Sequence, residues 1–238
     1  MQGLGEAAFE KLSANLSRVR ERMTEAALRA GRRPDSVALV AVTKNRPARV
    51  IPPLLELGVE AIGENRADEL LKKARSLDAQ VPWHLIGHYQ RNKISKTLPL
   101  LRRLHSADTL RLLSTLEVKA LALDRRDTPL PLLLQVNVSG ESTKQGFSPE
   151  DVEDVLDLAD AMSTIEVRGF MTMAPAGASP DRLHEIFGRL RGLRDRLGEE
   201  RLPELSMGMS GDFEIAIEEG ATWVRIGRAL FDGVDVGA

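Results

Sequence analysis

Residues 54–63 read LLELGVEAIG, and residues 216–227 read AIEEGATWVRIG. Both stretches place a helix end first, then a glycine (Gly58 or Gly220), then a short apolar run. A glycine just past a helix accepts the left-handed backbone that stops it. An apolar run with little alternation suits a strand covered on both faces. Helix, glycine and buried strand together form the repeating unit of a parallel sheet, so the fold depends on how often that unit recurs.

It recurs along most of the chain. Apolar runs fall at 38–43, 59–62, 83–86, 103–106, 132–138, 165–170, 204–207 and 222–226, the run at 103–106 being the weakest. Between them lie charged segments of helical period, among them 66–77, 109–123, 149–162 and 180–197. Pro149 and Pro180 are placed to open two of these helices, where a missing N–H costs nothing. Pro52 and Pro53 should delay the first crossover helix to about residue 52. Ahead of all this, Phe9, Leu12, Leu16, Val19 and Met23 recur at steps of three and four, which predicts an amphipathic helix over 6–30, ended by Gly31. Eight strands alternating with helices in 238 residues approach the roughly 250 residues typical of a (β/α)8 barrel. The expected fold is therefore α/β: a single-domain (β/α)8 TIM barrel over 1–238, with the barrel at 38–233 behind an extra N-terminal helix. The rival, an open doubly wound sheet, would show a G-x-G-x-x-G after a strand, and none is present.

Lysine and arginine number 33 against 35 acidic residues, a formal charge of −2, which argues against nucleic acid or an anionic membrane as partner. There is no cysteine, which excludes disulfides, thiolate metal sites and a cysteine nucleophile. That composition fits a cytoplasmic location. The first residues, MQGLGEAAFEKLSANLSRVRERM, are too polar for a signal peptide, and no apolar run approaches a membrane span. A monomer is expected.

A barrel gathers its chemistry at the C-terminal ends of its strands. The first such end is ALVAVTKNRP (38–47), a buried run that stops on Lys44. A lone lysine there ordinarily marks the point where a strand meets water. The later ends are GEN (63–65), WHLIGHYQRNK (83–93), Gln135 and Asn137 with SGESTKQGF (139–147), FMTMAP (170–175), MGMSGDF (207–213) and RIGRALF (225–231). Taken singly, His84 reads as a hydrogen-bonded core histidine. Met171, Met173, Met207 and Met209 read as packing, and Gln135 and Asn137 as polar lining of the mouth.

The last two ends say more, because loops after strands seven and eight commonly form a phosphate site in barrels. Here they carry Ser210-Gly211 and Gly227-Arg228: glycines that let N–H groups approach an anion, and a hydroxyl that donates to it. Alternation with Val224 and Ile226 points Arg225 into the barrel mouth. An amine on one side, an anion cradle on the other and a permanent cation at the base suit pyridoxal 5′-phosphate (PLP), which offers an aldehyde, a phosphate and a ring nitrogen. Partial burial of Lys44 at the strand end would favour the neutral amine that a Schiff base requires.

The chain also resembles a known family, the pyridoxal phosphate homeostasis proteins, which are similar to the barrel domain of alanine racemase (fold type III). The resemblance runs from about residue 8 to 233 and is carried by LVAVTK, GENRADEL, WHLIGHYQRNK, LLLQVNVSGESTKQGF, GFMTMAP, LSMGMSGDFEIAI and GATWVRIGRALF. It implies that Lys44 holds PLP as a Schiff base. It further implies that Ser210 and the Gly227-Arg228 amides meet the phosphate, that Arg225 meets the pyridine nitrogen, and that Asn65, His84, Asn137 and Met171 line the pocket. The sequence departs from the family at Tyr89, Ala67-Asp68, Pro52-Pro53 and Asp232, none of them an expected cofactor position.

The resemblance implies a protein that holds and buffers PLP and delivers it to PLP-dependent apoenzymes without catalytic turnover. The residues agree: the chain's one tyrosine, Tyr89, lies in the loop after the third strand. The chain ends soon after the eighth strand, and Arg225 would weaken the ring as an electron sink. The alternatives are a small PLP-dependent racemase-like enzyme with its second base from a partner subunit, and a cofactor-free Schiff-base aldolase using Lys44 on a phosphorylated sugar. Lys144, the only amine of the 139–147 loop, is either a solvated loop lysine or a residue that helps the cofactor leave.

Overall fold

The computed structural model describes residues 4–77, 80–141 and 145–236. It opens with helix α1 (Glu6–Arg29), followed by β1 (Ala38–Val42), α2 (Ile51–Glu56), β2 (Ala61–Glu64), α3 (Ala67–Arg75), β3 (Trp83–Leu85) and α4 (Ile94–Thr97). Next come β4 (Leu101–Ala107), α5 (Leu110–Leu121), β5 (Leu130–Gln135), α6 (Val152–Asp160) and β6 (Ile165–Met171). The last elements are α7 (Pro180–Leu197), β7 (Glu204–Ser206), α8 (Phe213–Glu218), β8 (Trp223–Ile226) and α9 (Arg228–Phe231). Each strand pairs in parallel with its successor, and β8 returns to β1 with Val40 opposite Arg225, closing a (β/α)8 barrel.

Strand alternation sorts the side chains into two apolar layers. Residues such as Ile62, Leu85, Phe170, Val224 and Ile226 face outward and share one core with the inner sides of the helices. Val40, Val42, Ala61 and Ile86, with Trp223, form a smaller cluster inside the barrel. Helix α1 buries Leu12, Leu16, Val19, Met23, Ala26 and Ala27 and packs against α8 and α9. Burial of each large apolar side chain contributes about 1.5–3 kcal/mol. Asn15, on the same stripe, donates through Nδ2 to the carbonyls of Leu230 (3.0 Å) and Asp232 (2.8 Å), tying α1 to the last helix.

Gly58 and Gly220 do close their helices in the left-handed region, at φ 74° and 97°. Other boundaries differ from the sequence expectation. The run at 103–106 becomes a seven-residue strand that starts where Leu101 pairs with Trp83; Arg103, two residues in, is held by Glu204 and lies over the Trp223 ring. β2 begins two residues later than expected, which brings Glu64 into the strand. Pro180 opens α7 behind the capping hydroxyl of Ser179, but Pro149 does not open a helix. Residues 148–151 instead form a turn in which Ser148 Oγ and Asp151 Oδ2 lie 2.7 Å apart, and α6 starts at Val152.

Candidate functional site

Lys44 lies two residues past the end of β1, after Thr43, and is exposed rather than partly buried. Its amine makes no hydrogen bond or ion pair with any described residue. The backbone beneath it is tightly held. Thr43 Oγ1 donates to Glu64 Oε1 (2.5 Å), and Lys73 Nζ donates both to that oxygen (2.5 Å) and to the Thr43 carbonyl (2.7 Å). All three side chains are buried, and Glu64 Oε2 has no partner. Asn45 then takes a positive φ of 59°, turning the chain away just after the lysine. Glu64 belongs to the GEN strand end read from the sequence, but its burial and its pairing with Lys73, which lies in a charged helical segment, carry no signal there.

Arg225 projects into the barrel. It is 4% exposed, donating through Nη1 to Ser206 Oγ (2.8 Å) and through Nη2 to the Thr172 carbonyl (2.9 Å). Burial pulls its pKa down to about 10, with Asp212 acting in the opposite sense, so it remains a cation at neutral pH. Ser206 continues to His105 Nδ1 (2.8 Å), and His105 Nε2 continues to His84 Nδ1 (3.0 Å). His84 is thus a hydrogen-bonded interior histidine, with its ring 5.2 Å from that of Trp223. Nothing in the sequence patterns singled out His105 or Ser206, since their pairing depends on the register of four strands.

Burial, reinforced by Arg103 and Arg102, pulls the His84 pKa from 6.5 down to about 3, and burial holds His105 well below the usual histidine range. Because the folded values lie below the unfolded ones, unfolding takes up protons between them. Stability is therefore expected to be fully present above about pH 6.5 and to fall by a few kcal/mol toward pH 3. Urea midpoints across that range check it; a His105→Phe variant should show a shallower acid limb.

Asn65 is exposed and lies against Gly87, where a Cβ would come within 2.2 Å of Asn65 Oδ1. Asn137 is half-buried in a loop rather than on β5, with Nδ2 donating to the Glu141 carbonyl (2.8 Å) and Oδ1 accepting from Ser139 (2.9 Å). Gln135, Asn137, Gln145, Met173 and Met209 border a cavity of about 410 Å³ at the mouth. Met171 and Met207 are fully buried packing residues. Met173 and Met209 are not: they are 41% and 38% exposed, on loops beyond the strands. A larger cavity, about 940 Å³, opens at the opposite end near Trp83, Leu101 and Arg103, the end that in barrels serves stability.

Ser210 Oγ accepts from the Ala229 amide (3.2 Å), which joins the loops after β7 and β8. Gly227 caps α9 at φ −122°, so it is not there for a left-handed turn. A Cβ would meet the Val42 carbonyl at 3.3 Å, a tight contact where this loop lies against β1. Gly211 and Arg228 are exposed beside them, with Arg228 Nη2 3.9 Å from a Cβ on Gly211. Tyr89 points away into the helical layer, 1% exposed, its hydroxyl 2.7 Å from Thr97 Oγ1, and burial pushes its pKa up to about 12. Lys144 lies outside the described residues.

The closed parallel barrel with an unpartnered lysine after its first strand belongs, by its family match, to the alanine racemase barrel class. The family model described as the alanine racemase N-terminal domain matches residues 10–234. The pyridoxal phosphate homeostasis protein of Aquifex aeolicus is 40% identical over 220 residues, covering 91% of this chain and 95% of that protein. Its namesake from Pseudomonas aeruginosa is 40% identical over 231 residues, covering 95% and 97%. Among solved structures, PipY of Synechococcus elongatus with PLP bound is 32% identical, with a TM-score of 0.79 over 92% of this chain and 99% of that one. Alanine racemase from Corynebacterium glutamicum, 18% identical with a TM-score of 0.68 over 94% of this chain and 60% of its own, shares the fold. The chain belongs to the pyridoxal phosphate homeostasis protein family. Among the described residues, no helix is long and apolar enough to cross a membrane.

Proposed function

We propose that this protein binds PLP at the barrel mouth as a Schiff base on Lys44, acting in the cytoplasm as a monomeric carrier that buffers the cofactor and passes it to apoenzymes. The observation that carries this reading is the exposed amine of Lys44, without a partner, on a backbone fixed by Thr43, Glu64 and Lys73. The donor set fits the group. Ser210 and the close-packed Gly227 loop suit a phosphate, and the Arg225 cation suits an unprotonated ring nitrogen. The PLP-bound PipY structure supports it from a relative. When bound, PLP supplies an aldehyde that condenses reversibly with a primary amine, and a dianionic phosphate. Lys44 provides that amine, Ser210 and the Gly227–Arg228 backbone the anion contacts, and Arg225 a donor that opposes protonation at the ring. The absence of turnover rests on Tyr89, whose buried hydroxyl serves no proton transfer at the mouth.

The test is the visible spectrum of the purified protein mixed with PLP. A band removed by Lys44→Ala supports the carrier; a colourless protein that still reduces onto a sugar phosphate at Lys44 points to the aldolase. Ser210→Ala is expected to weaken PLP binding by about 1–2 kcal/mol, from lost charge-assisted hydrogen bonding, and inorganic phosphate should compete. Unchanged affinity without competition would remove the cradle from the assignment. In deuterated water, amino acids incubated with holoprotein are expected to exchange their α-proton no faster than with free PLP, since losing one acid–base group forfeits about 10²- to 10⁴-fold in rate. Exchange well beyond free PLP and dependent on Lys44 would establish a racemase-like enzyme instead.

A further inference from the structure

His88 and Asp108, on the loops after β3 and β4, open on the same face of the barrel as Lys44 and have no part in the binding contacts above. His88 Nδ1 lies 2.9 Å from Asp108 Oδ2. The imidazole side chain is 52% accessible and the carboxylate side chain 3%. Asp108 Oδ1 is buried with no hydrogen-bond partner. Burying a carboxylate with one oxygen unsatisfied is expensive, and such groups concentrate where a function requires them. Here the carboxylate fixes an exposed imidazole: it accepts from Nδ1–H, which leaves the Nε2 lone pair free toward solvent.

The loop is held on both sides of the histidine. Gly87 is pressed against Asn65 and its carbonyl accepts from Ser106 Oγ (2.6 Å), while Tyr89 is locked into the helical layer through Thr97. His88 is thus a rigidly mounted imidazole one residue from the wall formed by Asn65. β1 and β3 lie two strands apart, roughly 10 Å at the usual inter-strand spacing.

We propose that His88, oriented by Asp108, is the acid–base group that makes and breaks the bond between Lys44 and the cofactor aldehyde. The proposal rests on the Schiff-base reading above and adds the exchange step to it. Release consumes one water, whose oxygen bonds to the carbon of the C=N link. His88 Nε2 carries the water's two protons in turn to the Lys44 nitrogen. The carbon–nitrogen bond breaks with its electron pair going to nitrogen, the carbonyl forms, and Lys44 returns as a free amine. Loading is the same sequence reversed. A carrier needs this step to be fast in both directions, which buffering by the covalent link alone does not provide.

The experiment measures loading of apoprotein with PLP, and release from holoprotein in the presence of a phosphatase that destroys free PLP, both from the visible band. His88→Ala is expected to slow loading and release alike, by about a hundredfold, leaving the equilibrium affinity unchanged; the urea midpoint is expected to fall, because Asp108 loses its one hydrogen-bond partner. Imidazole in the buffer should restore both rates. Asp108→Asn should slow them in the same direction and add nothing to His88→Ala. Unchanged rates, or slower release matched by tighter equilibrium binding, would overturn the acid–base role. Borohydride reduction of the wild-type holoprotein separates the two readings: a Lys44 label with unchanged His88→Ala rates sinks this proposal alone, and no Lys44 label sinks the Schiff-base reading beneath it.

Discussion

Lys44→Ala is expected to abolish the visible band of the PLP-loaded protein completely while leaving weaker, measurable binding. The covalent link needs an amine at residue 44, whereas the phosphate contacts come from Ser210 and the Gly227 loop, on other strands. The fold should not notice the change. Lys44 is exposed and makes no hydrogen bond with a described residue, so the urea midpoint should stay within about 0.5 kcal/mol of wild type. Borohydride reduction and peptide mapping supply the positive control, placing the pyridoxyl group on Lys44 in wild type and nowhere in the variant. A label mainly on another lysine would refute the assignment even if the band were lost.

Lys73→Met should produce the largest loss of stability of any single change near the site. It removes the cation from a pair whose side chains are 5% and 0% exposed, leaving the buried Glu64 carboxylate with only the neutral Thr43 hydroxyl as donor and the Thr43 carbonyl with only the Arg46 amide. Stranding a buried charge in this way costs about 3–5 kcal/mol. The double variant Lys73→Met/Glu64→Gln should recover much of the loss, because the uncompensated charge goes with the second substitution. Urea unfolding of the two variants measures both effects. A loss below about 1 kcal/mol for Lys73→Met would mean that the pair does not carry the strand end beneath Lys44.

These two lysines show how far the sequence reaches. Lys44 was legible because a continuous apolar run ended on it, and a parallel strand places its chemistry at that end. The barrel was legible for a related reason: helix, glycine and buried strand recur with their own periods, as at Gly58 and Gly220, and periodicity is a local property of the chain. The strand ends were less so. β4 extends two residues before its apolar run, to where Leu101 pairs with Trp83 of the neighbouring strand.

The interior of the site belongs to the tertiary structure. Lys72 and Lys73 are identical neighbours in a charged helical segment, yet Lys72 is exposed and Lys73 is buried. A helix turns about 100° per residue, and which of two adjacent lysines faces inward depends on where the barrel presents Glu64. The same holds for the hydrogen bonds that join His84, His105, Ser206 and Arg225 across four strands, although alternation already pointed Arg225 inward, and for His88 and Asp108, brought together by two loops. The sequence by itself determined the repeating fold, the amine at the first strand end and the glycine loops at the last two. The tertiary structure alone decided which charged side chains were buried and paired, because burial and pairing depend on what lies across the barrel, and no local pattern encodes that.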